Sequence, residues 1–435
     1  MDGRAARLAA LVKQLEASQW LPETEHGAQQ HRRLRTLARH AGARSPWFRE
    51  RLRQAGLTPD DLATPEGLRR LPVLRRRDVQ QAGERLYCDV VPANHRPLNE
   101  TRTSGSTGEP VVVRRTAVSN LFWMAMTLRD HLWHRRDFGA RLASVRANLA
   151  KPVRQPGWGP PVGLLYRTGP AEAMPITTDI AAQAAWLRRF DPAYLLIYPS
   201  NLSALVRHCA ANGIRLPGLR QIRTIGETLL PDLRETTRKV LGVGIADVYS
   251  SQEIGYIALQ CPESECYHVM AEAVLVEVLD DDGRPCGPGE VGRVVVTDLR
   301  NFATPLVRYD IGDMAETAAE PCACGRGLPG LRRILGRERN LILKPDGTRH
   351  WPLVGFGQFR DVAPIQQYQL IQHSRSDIEV RLVAERALAS EEESRLGDVI
   401  RDALGYPFAL RFVYFENEIP RGPGGKFEEF VCRAT

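Results

Sequence analysis

Ser104-Gly105-Ser106-Thr107-Gly108, inside the stretch Thr103 to Pro110, sets three hydroxyls and two glycines side by side. Glycine lets a backbone approach an anion closely, and the N–H and O–H groups of such a loop can wrap phosphate oxygens. The G-x-x-x-x-G-K-[ST] frame fails in every register. The run also leads into Val111-Val112-Val113, a β-branched strand, rather than opening a helix. The competing reading is a Ser/Gly-rich surface turn. A second group suits a metal: Cys261-x6-His268 and Cys322-x-Cys324-Gly325 together offer three thiolates and an imidazole, a set that satisfies tetrahedral Zn²⁺. Cys266 could replace either partner of the first pair, and buried free cysteines are the plainer alternative. Four protein ligands leave no open position, so the expected role is structural.

These groups need elements to hold them. Residues 1 to about 90 read as helices, with Ser45-Pro46 as cap and first turn before Trp47 and Phe48, and with another helix starting at Thr58-Pro59-Asp60-Asp61. Trp47 and Phe48 are expected in the core. An aromatic-rich helix is expected over residues 119–135, and the proline-rich stretch 151–175 reads as an irregular connection. From Tyr194 short apolar runs alternate with amphipathic helices, which argues for a parallel sheet with ligands beyond the carboxyl ends of its strands. Residues 272–298 switch to an alternating hairpin around Asp280-Asp281-Asp282-Gly283. The last hundred residues read as a small α+β domain. The expected fold class is therefore α/β: a large N-terminal domain over 1–335, with parallel-rich sheets, helices and an antiparallel β part, and a small mobile C-terminal α+β domain over 336–435.

Composition bounds the alternatives without choosing among them. At 435 residues, 43% hydrophobic and 25% charged, the chain has the size and make-up of a folded enzyme. Lys plus Arg number 59 against 51 acids, but the arginines are scattered, so the +8 charge suits anionic small molecules as well as nucleic acid. Neither an apolar leader nor a run long enough to span a membrane is evident, and eight cysteines without a secretory signal argue against disulfides. The expectation is a cytoplasmic protein, monomer or homodimer, with no nucleic-acid or membrane partner.

Six stretches in order carry a resemblance: Thr103 to Pro110, Ile225-Gly226-Glu227, Tyr249 to Gly255, Pro305 to Asp313, Gly336 to Asn340, and Pro423-Gly424-Gly425-Lys426. Together they resemble the successive motifs of the adenylate-forming superfamily, and within it phenylacetate-CoA ligases, coenzyme F390 synthetase and CapK-like proteins. The resemblance implies ATP-dependent, AMP-forming activation of a carboxylic acid. Ser104, Gly105, Ser106, Thr107 and Gly108 would hold the β and γ phosphates, and Glu253 would bind Mg²⁺. Gly226, Glu227 and Tyr249 would frame adenine, Asp313 would accept from the ribose hydroxyls, and Arg337 would lie near the ribose at a hinge. Lys426 would bridge the substrate carboxylate and the α-phosphate.

The acyl pocket would be lined by Tyr198, Pro199, Ser200, Ile225, Ser250, Gly255, Tyr256 and the 119–135 helix, a mixture that admits aryl or medium acyl groups. Departures from the family pattern include Glu109 where many relatives carry lysine, with Arg114 or Arg115 as possible compensation, and Asn340 and Ser250 in place of an acid and a glycine. CoA is the expected acceptor. An amine or a carrier-protein thiol is the alternative, and a non-catalytic nucleotide-binding scaffold the third reading.

Overall fold

The structure is a computed structural model that describes residues 3–102, 110–337, 341–350, 359, 361–416, 418–420, 427 and 429–434. The phosphate-loop residues 104–108, Glu109, Asn340 and Lys426 lie outside the described residues.

Helices fill the first part of the chain because their starts are capped. Ser45 Oγ accepts from the Phe48 N–H at 3.2 Å, and Pro46 occupies the first turn. Phe48 is wholly buried and Trp47 packs against the core in part. The helix expected from Thr58 is reduced to a single 3₁₀ turn, Asp61–Ala63. Asp61 Oδ2 accepts from both the N–H and the hydroxyl of Thr58, closing a turn, and the helix begins instead at Thr64-capped Pro65–Arg70. Strands β1 (Leu98–Arg102) and β2 (Val112–Thr116) form an antiparallel pair that flanks residues 103–109 in the sequence. The helix Ala117–Trp133 follows, capped by Thr116.

A twelve-stranded sheet organises the large part of the molecule. Its parallel half contains β3 (Leu142–Arg146), β5 (Ala171–Pro175), β6 (Tyr194–Ile197), β7 (Gln221–Ile225) and β8 (Gly244–Ser251). Every residue of β6 is buried, as a strand covered on both faces requires. The stretch 151–175 is less irregular than its prolines suggest. Strand β4 (Val153–Gln155) pairs with β5, and β5 pairs in parallel with β3, ending at Pro175 where no further donor is needed. The antiparallel half comprises β9 (Gly255–Gln260), β10 (Tyr267–Val269), β11 (Val274–Leu279), β12 (Val291–Asp298), β13 (Tyr309–Thr317) and β14 (Gly330–Arg337). Between β11 and β12 lies the expected hairpin.

The wall helix Ala117–Trp133 is anchored by a buried ion pair. Arg129 Nη2 lies 2.7 Å from Glu272 Oε1, which also accepts from Ser18 Oγ at 2.6 Å, so the first helix, the wall helix and the start of β11 are fixed together. Cα packing divides the chain into two units, Met1–Leu229 with Thr237–Leu335, and Leu230–Thr236 with Gly336–Thr435. The second unit holds the two-stranded pair β15 (Ile342–Leu343) and β16 (Arg349–His350). It also has a four-stranded sheet of β17 (Ile365–Gln372), β18 (Asp377–Ala384), β19 (Ala409–Tyr414) and β20 (Phe430–Cys432), with the helix Ser390–Leu404. Leu396, Ile400 and Leu404 bury that helix in a core with Tyr368, Leu370, Val380 and Leu382. The fold is thus the α/β arrangement expected, a large mixed sheet with helices and a separate smaller sheet.

Candidate active site

The carboxyl ends of β6, β7 and β8 lie side by side, and most of the expected pocket residues sit there. Tyr198 directly follows β6 and precedes Pro199 and Ser200, the first turn of the helix Pro199–Ala211. That helix has no side-chain cap of its own; Glu227, two residues past β7, accepts from the Ser200 N–H at 2.8 Å and supplies one. Gly226 takes φ of 77°, and a Cβ there would stand 3.2 Å from the Tyr198 ring. Glycine is needed on both counts, so Ile225, Gly226 and Tyr198 form one surface.

The turn from β8 to β9 carries the acid. Ser250 pairs with Tyr256 and Ser251 with Gly255, with a bulge after Tyr249. Glu253, at the tip, is 8% exposed, and its Oε1 lies 3.6 Å from Arg76 Nη1. Gly255 has φ of 98°, and a Cβ on it would meet Arg115 Nη2 at 2.8 Å. Arg115 Nη1 in turn donates to the Gln252 carbonyl at 3.3 Å. Two guanidiniums therefore flank the Glu253 turn. Arg114 points elsewhere, with Nη2 2.9 Å from Glu84 and its guanidinium 4.0 Å over the Tyr87 ring. Of the two arginines considered beside Glu109, only Arg115 reaches this turn.

Tyr249 and Asp313 meet directly. The Tyr249 hydroxyl donates to Asp313 Oδ2 at 2.8 Å, joining β8 to β13, and both side chains are buried. Sequence reasoning gave these residues separate roles, one for adenine and one for ribose. The structure adds that the phenol orients the carboxylate.

Around Tyr256 and the helix Ala117–Trp133 lies a polar network that the sequence did not reveal. Tyr256 Oη accepts from Arg223 Nη2 at 2.7 Å and is 3.0 Å from Thr127 Oγ1 on the wall helix. Asp130 Oδ2 takes Arg223 Nε at 2.7 Å and Arg136 Nη1 at 2.6 Å. Burial opposes the Asp130 charge, but Arg136 and Arg223 outweigh it and hold the carboxyl below its ordinary range. Burial pushes His134 down to about 4 and His131 well below its ordinary value, so both imidazoles are neutral near pH 7. Trp123, partly exposed, tilts against Tyr256 with ring centroids 6.1 Å apart. In the sequence these are lone arginines and an aspartate in ordinary helices and strands. Only strand register brings them together.

The thiol cluster is assembled as its spacing suggests. The ligand atoms of Cys261, His268, Cys322 and Cys324 all lie within 4.8 Å of one another. Cys261 and Cys322 sulfurs are 3.7 Å apart, and Cys324 Sγ is 3.2 Å from His268 Nε2. Zinc bonds of about 2.3 Å to sulfur and 2.0–2.1 Å to nitrogen set tetrahedral ligand separations of roughly 3.5–3.8 Å, so the set fits the metal. His268 Nδ1 lies 3.5 Å from the Leu328 carbonyl, which leaves Nε2 facing the thiols. Cys266 is outside the set, its sulfur 3.6 Å from the Tyr267 carbonyl.

The mixed sheet carries a buried acid, Glu253, in the β8–β9 turn and a buried phenol–carboxylate pair, Tyr249–Asp313, between β8 and β13, and the AMP-binding enzyme family profile matches residues 11–302. The chain belongs to that family, in the adenylate-forming superfamily, and it is phenylacetate-CoA ligase-like. It is 28% identical over 335 residues to the phenylacetate-coenzyme A ligase of Thermus thermophilus, covering 74% of this chain and 73% of that one. Among solved structures it is similar to 2-hydroxyisobutyryl-CoA ligase in the postadenylation state with R3-HIB-AMP. That likeness has a TM-score of 0.75 at 18% identity, over 95% of this chain and 91% of that one. The same ligase with 2-HIB-AMP and CoA in the thioesterification state gives a TM-score of 0.62 at 19% identity, over 96% and 91%.

Proposed function

We propose that the chain activates a carboxylic acid with ATP and passes the acyl group to CoA. A carboxylate oxygen attacks the α-phosphorus, pyrophosphate leaves, and the product is acyl-AMP. The thiolate sulfur of CoA then attacks the acyl carbon, and AMP leaves with the electron pair of the broken C–O bond. The observation that carries this reading is the Tyr249–Asp313 hydrogen bond on β8, with the buried Glu253 in the turn that follows that strand, in a chain of the AMP-binding family.

Asp313, oriented by Tyr249, would accept from both ribose hydroxyls. The surface of Gly226 and Tyr198 would flank the base and the acyl group, with Pro199, Ser200, Ile225, Ser250, Gly255 and Tyr256 around it. Glu253 would hold Mg²⁺, a hard cation that prefers carboxylate oxygen and, when bound, offsets charge on the phosphates. Arg76 and Arg115 add fixed positive charge beside that turn. Ser104 to Gly108, Arg337 and Lys426 keep the roles that the family resemblance implies, with Lys426 at the α-phosphate. Cys261, His268, Cys322 and Cys324 would hold a structural zinc that ties the loop before β10 to the loop before β14. The reading is tested by pyrophosphate release over a panel of carboxylic acids, with mass spectrometry of the products formed with and without CoA.

A further inference from the structure

Resting on the acid-activation reading above, we propose that the pocket accepts an acid bearing a second anionic group, most simply a second carboxylate, and that Arg146 receives it. Arg146 is the last residue of β3. Strand register sets Ser144 against Leu196, and Leu196 against Arg223. Side chains alternate along a strand, so Arg146, two residues beyond Ser144, projects from the same face as Arg223 and one step nearer the carboxyl end. There it lines up with Tyr198, which is two residues beyond Leu196 and already part of the pocket wall.

Charge balance identifies what this corner lacks. Arg136 and Arg223 share Asp130, while the Arg146 guanidinium has no hydrogen-bond or ion-pair partner among the described residues. Burial, and then the neighbouring charge of Arg223, lower its affinity for a proton, whereas the Tyr198 and Tyr256 rings raise it. His131 and His134 are neutral, so among the described residues of this corner the guanidiniums of Arg136, Arg146 and Arg223 stand against the one carboxylate of Asp130. A part-buried cation without a counter-charge is costly, and a ligand anion removes that cost. A planar guanidinium meets a carboxylate with two parallel N–H bonds.

Placement also sets the substrate's shape. β3 and β8 are separated by β6 and β7, which at strand spacing puts them about 14 Å apart. An acid reacting at the Ser250–Glu253 end of β8 would extend across the ends of β7 and β6. Its far end would then approach a guanidinium reaching in from β3. Trp123, Tyr256 and Tyr198 provide flat, partly apolar walls for the body between.

The test compares matched acids in ATP–pyrophosphate exchange: para-carboxyphenylacetate against phenylacetate, and adipate against hexanoate. The wild type is expected to prefer the dianion by about 10- to 100-fold in kcat/KM, the range for a charge-assisted hydrogen-bonded pair. Arg146→Met should collapse that ratio towards one, and Arg146→Lys should restore part of it. Melting curves check that each variant is folded. Wild-type preference for the monoacids, or an unchanged ratio in folded Arg146→Met, overturns the proposal while leaving acid activation standing. Absence of exchange with every acid overturns the activation reading itself, and this inference with it.

Discussion

Two clusters on the same large sheet have opposite imbalances. Around Asp130, Arg136 and Arg223 the protein gathers more cationic donors than carboxylate to receive them. Around Cys261, His268, Cys322 and Cys324 it gathers three thiols and an imidazole, a set of electron-pair donors. The chemistry of each set points to the partner it suits, an anion in the first case and a thiolate-binding metal ion in the second. Position separates them further. The first backs onto the strand ends where substrate would lie, while the second sits where β10 and β14 begin, built from a closed ligand set. One end of the sheet should therefore govern the reaction and the other the fold.

The largest expected effect is at Lys426, on the proposal that it meets the α-phosphate, where negative charge gathers as the acid attacks. Lys426→Ala should slow pyrophosphate release by about 10³-fold, because an ammonium there stabilises the transition state more than the ground state. The same variant should convert synthetic acyl-AMP to thioester at close to the wild-type rate, on the proposal that the small domain turns about Arg337 and Asn340 between half-reactions. Equal loss in both steps would assign Lys426 to the fold. Next is Glu253→Gln, which keeps the shape and removes the charge; pyrophosphate release should drop roughly 10²-fold or more, with ATP binding partly retained. Unaltered release at millimolar Mg²⁺ would remove Glu253 from the chemistry.

A smaller effect, and of another kind, is expected at the thiols. Purified protein should carry one zinc per chain, and Cys322→Ser should lower both zinc content and melting temperature by several degrees, since metal binding energy contributes to folding. Loss of pyrophosphate release in a Cys322→Ser protein that is still folded and unchanged in stability would erase the distinction between the two ends.

Much of this was legible in the sequence, for reasons that differ by region. Apolar runs such as Tyr194–Ile197 announced the parallel strands, and the hairpin over 274–296 followed from alternation around a turn. Cys261, His268, Cys322 and Cys324 were visible because cysteine pairs are rare and their spacing is diagnostic. Tyr249 and Asp313 stood in recognisable stretches, though their mutual hydrogen bond joins strands 64 residues apart in sequence and could not be read from either. Arg76, Arg146 and Arg223 were hidden because nothing local distinguishes them in a chain with 59 basic residues. Their meaning comes from register and burial. Prolines concealed β4 and β5, which tolerate them because Pro175 closes its strand. At Thr58, the Asp61 carboxylate favoured a turn over the helix that Thr-Pro suggested.

The most direct test of the central claim is the acid panel itself. Wild-type protein, ATP and Mg²⁺ are assayed for pyrophosphate with each acid, and the products are weighed by mass spectrometry with and without CoA. The expected result is pyrophosphate release that depends on the acid, an acyl-AMP mass without CoA, and AMP with an acyl-CoA mass when CoA is added. Nucleotide binding without pyrophosphate release from any acid would contradict it and leave a nucleotide-binding scaffold in its place.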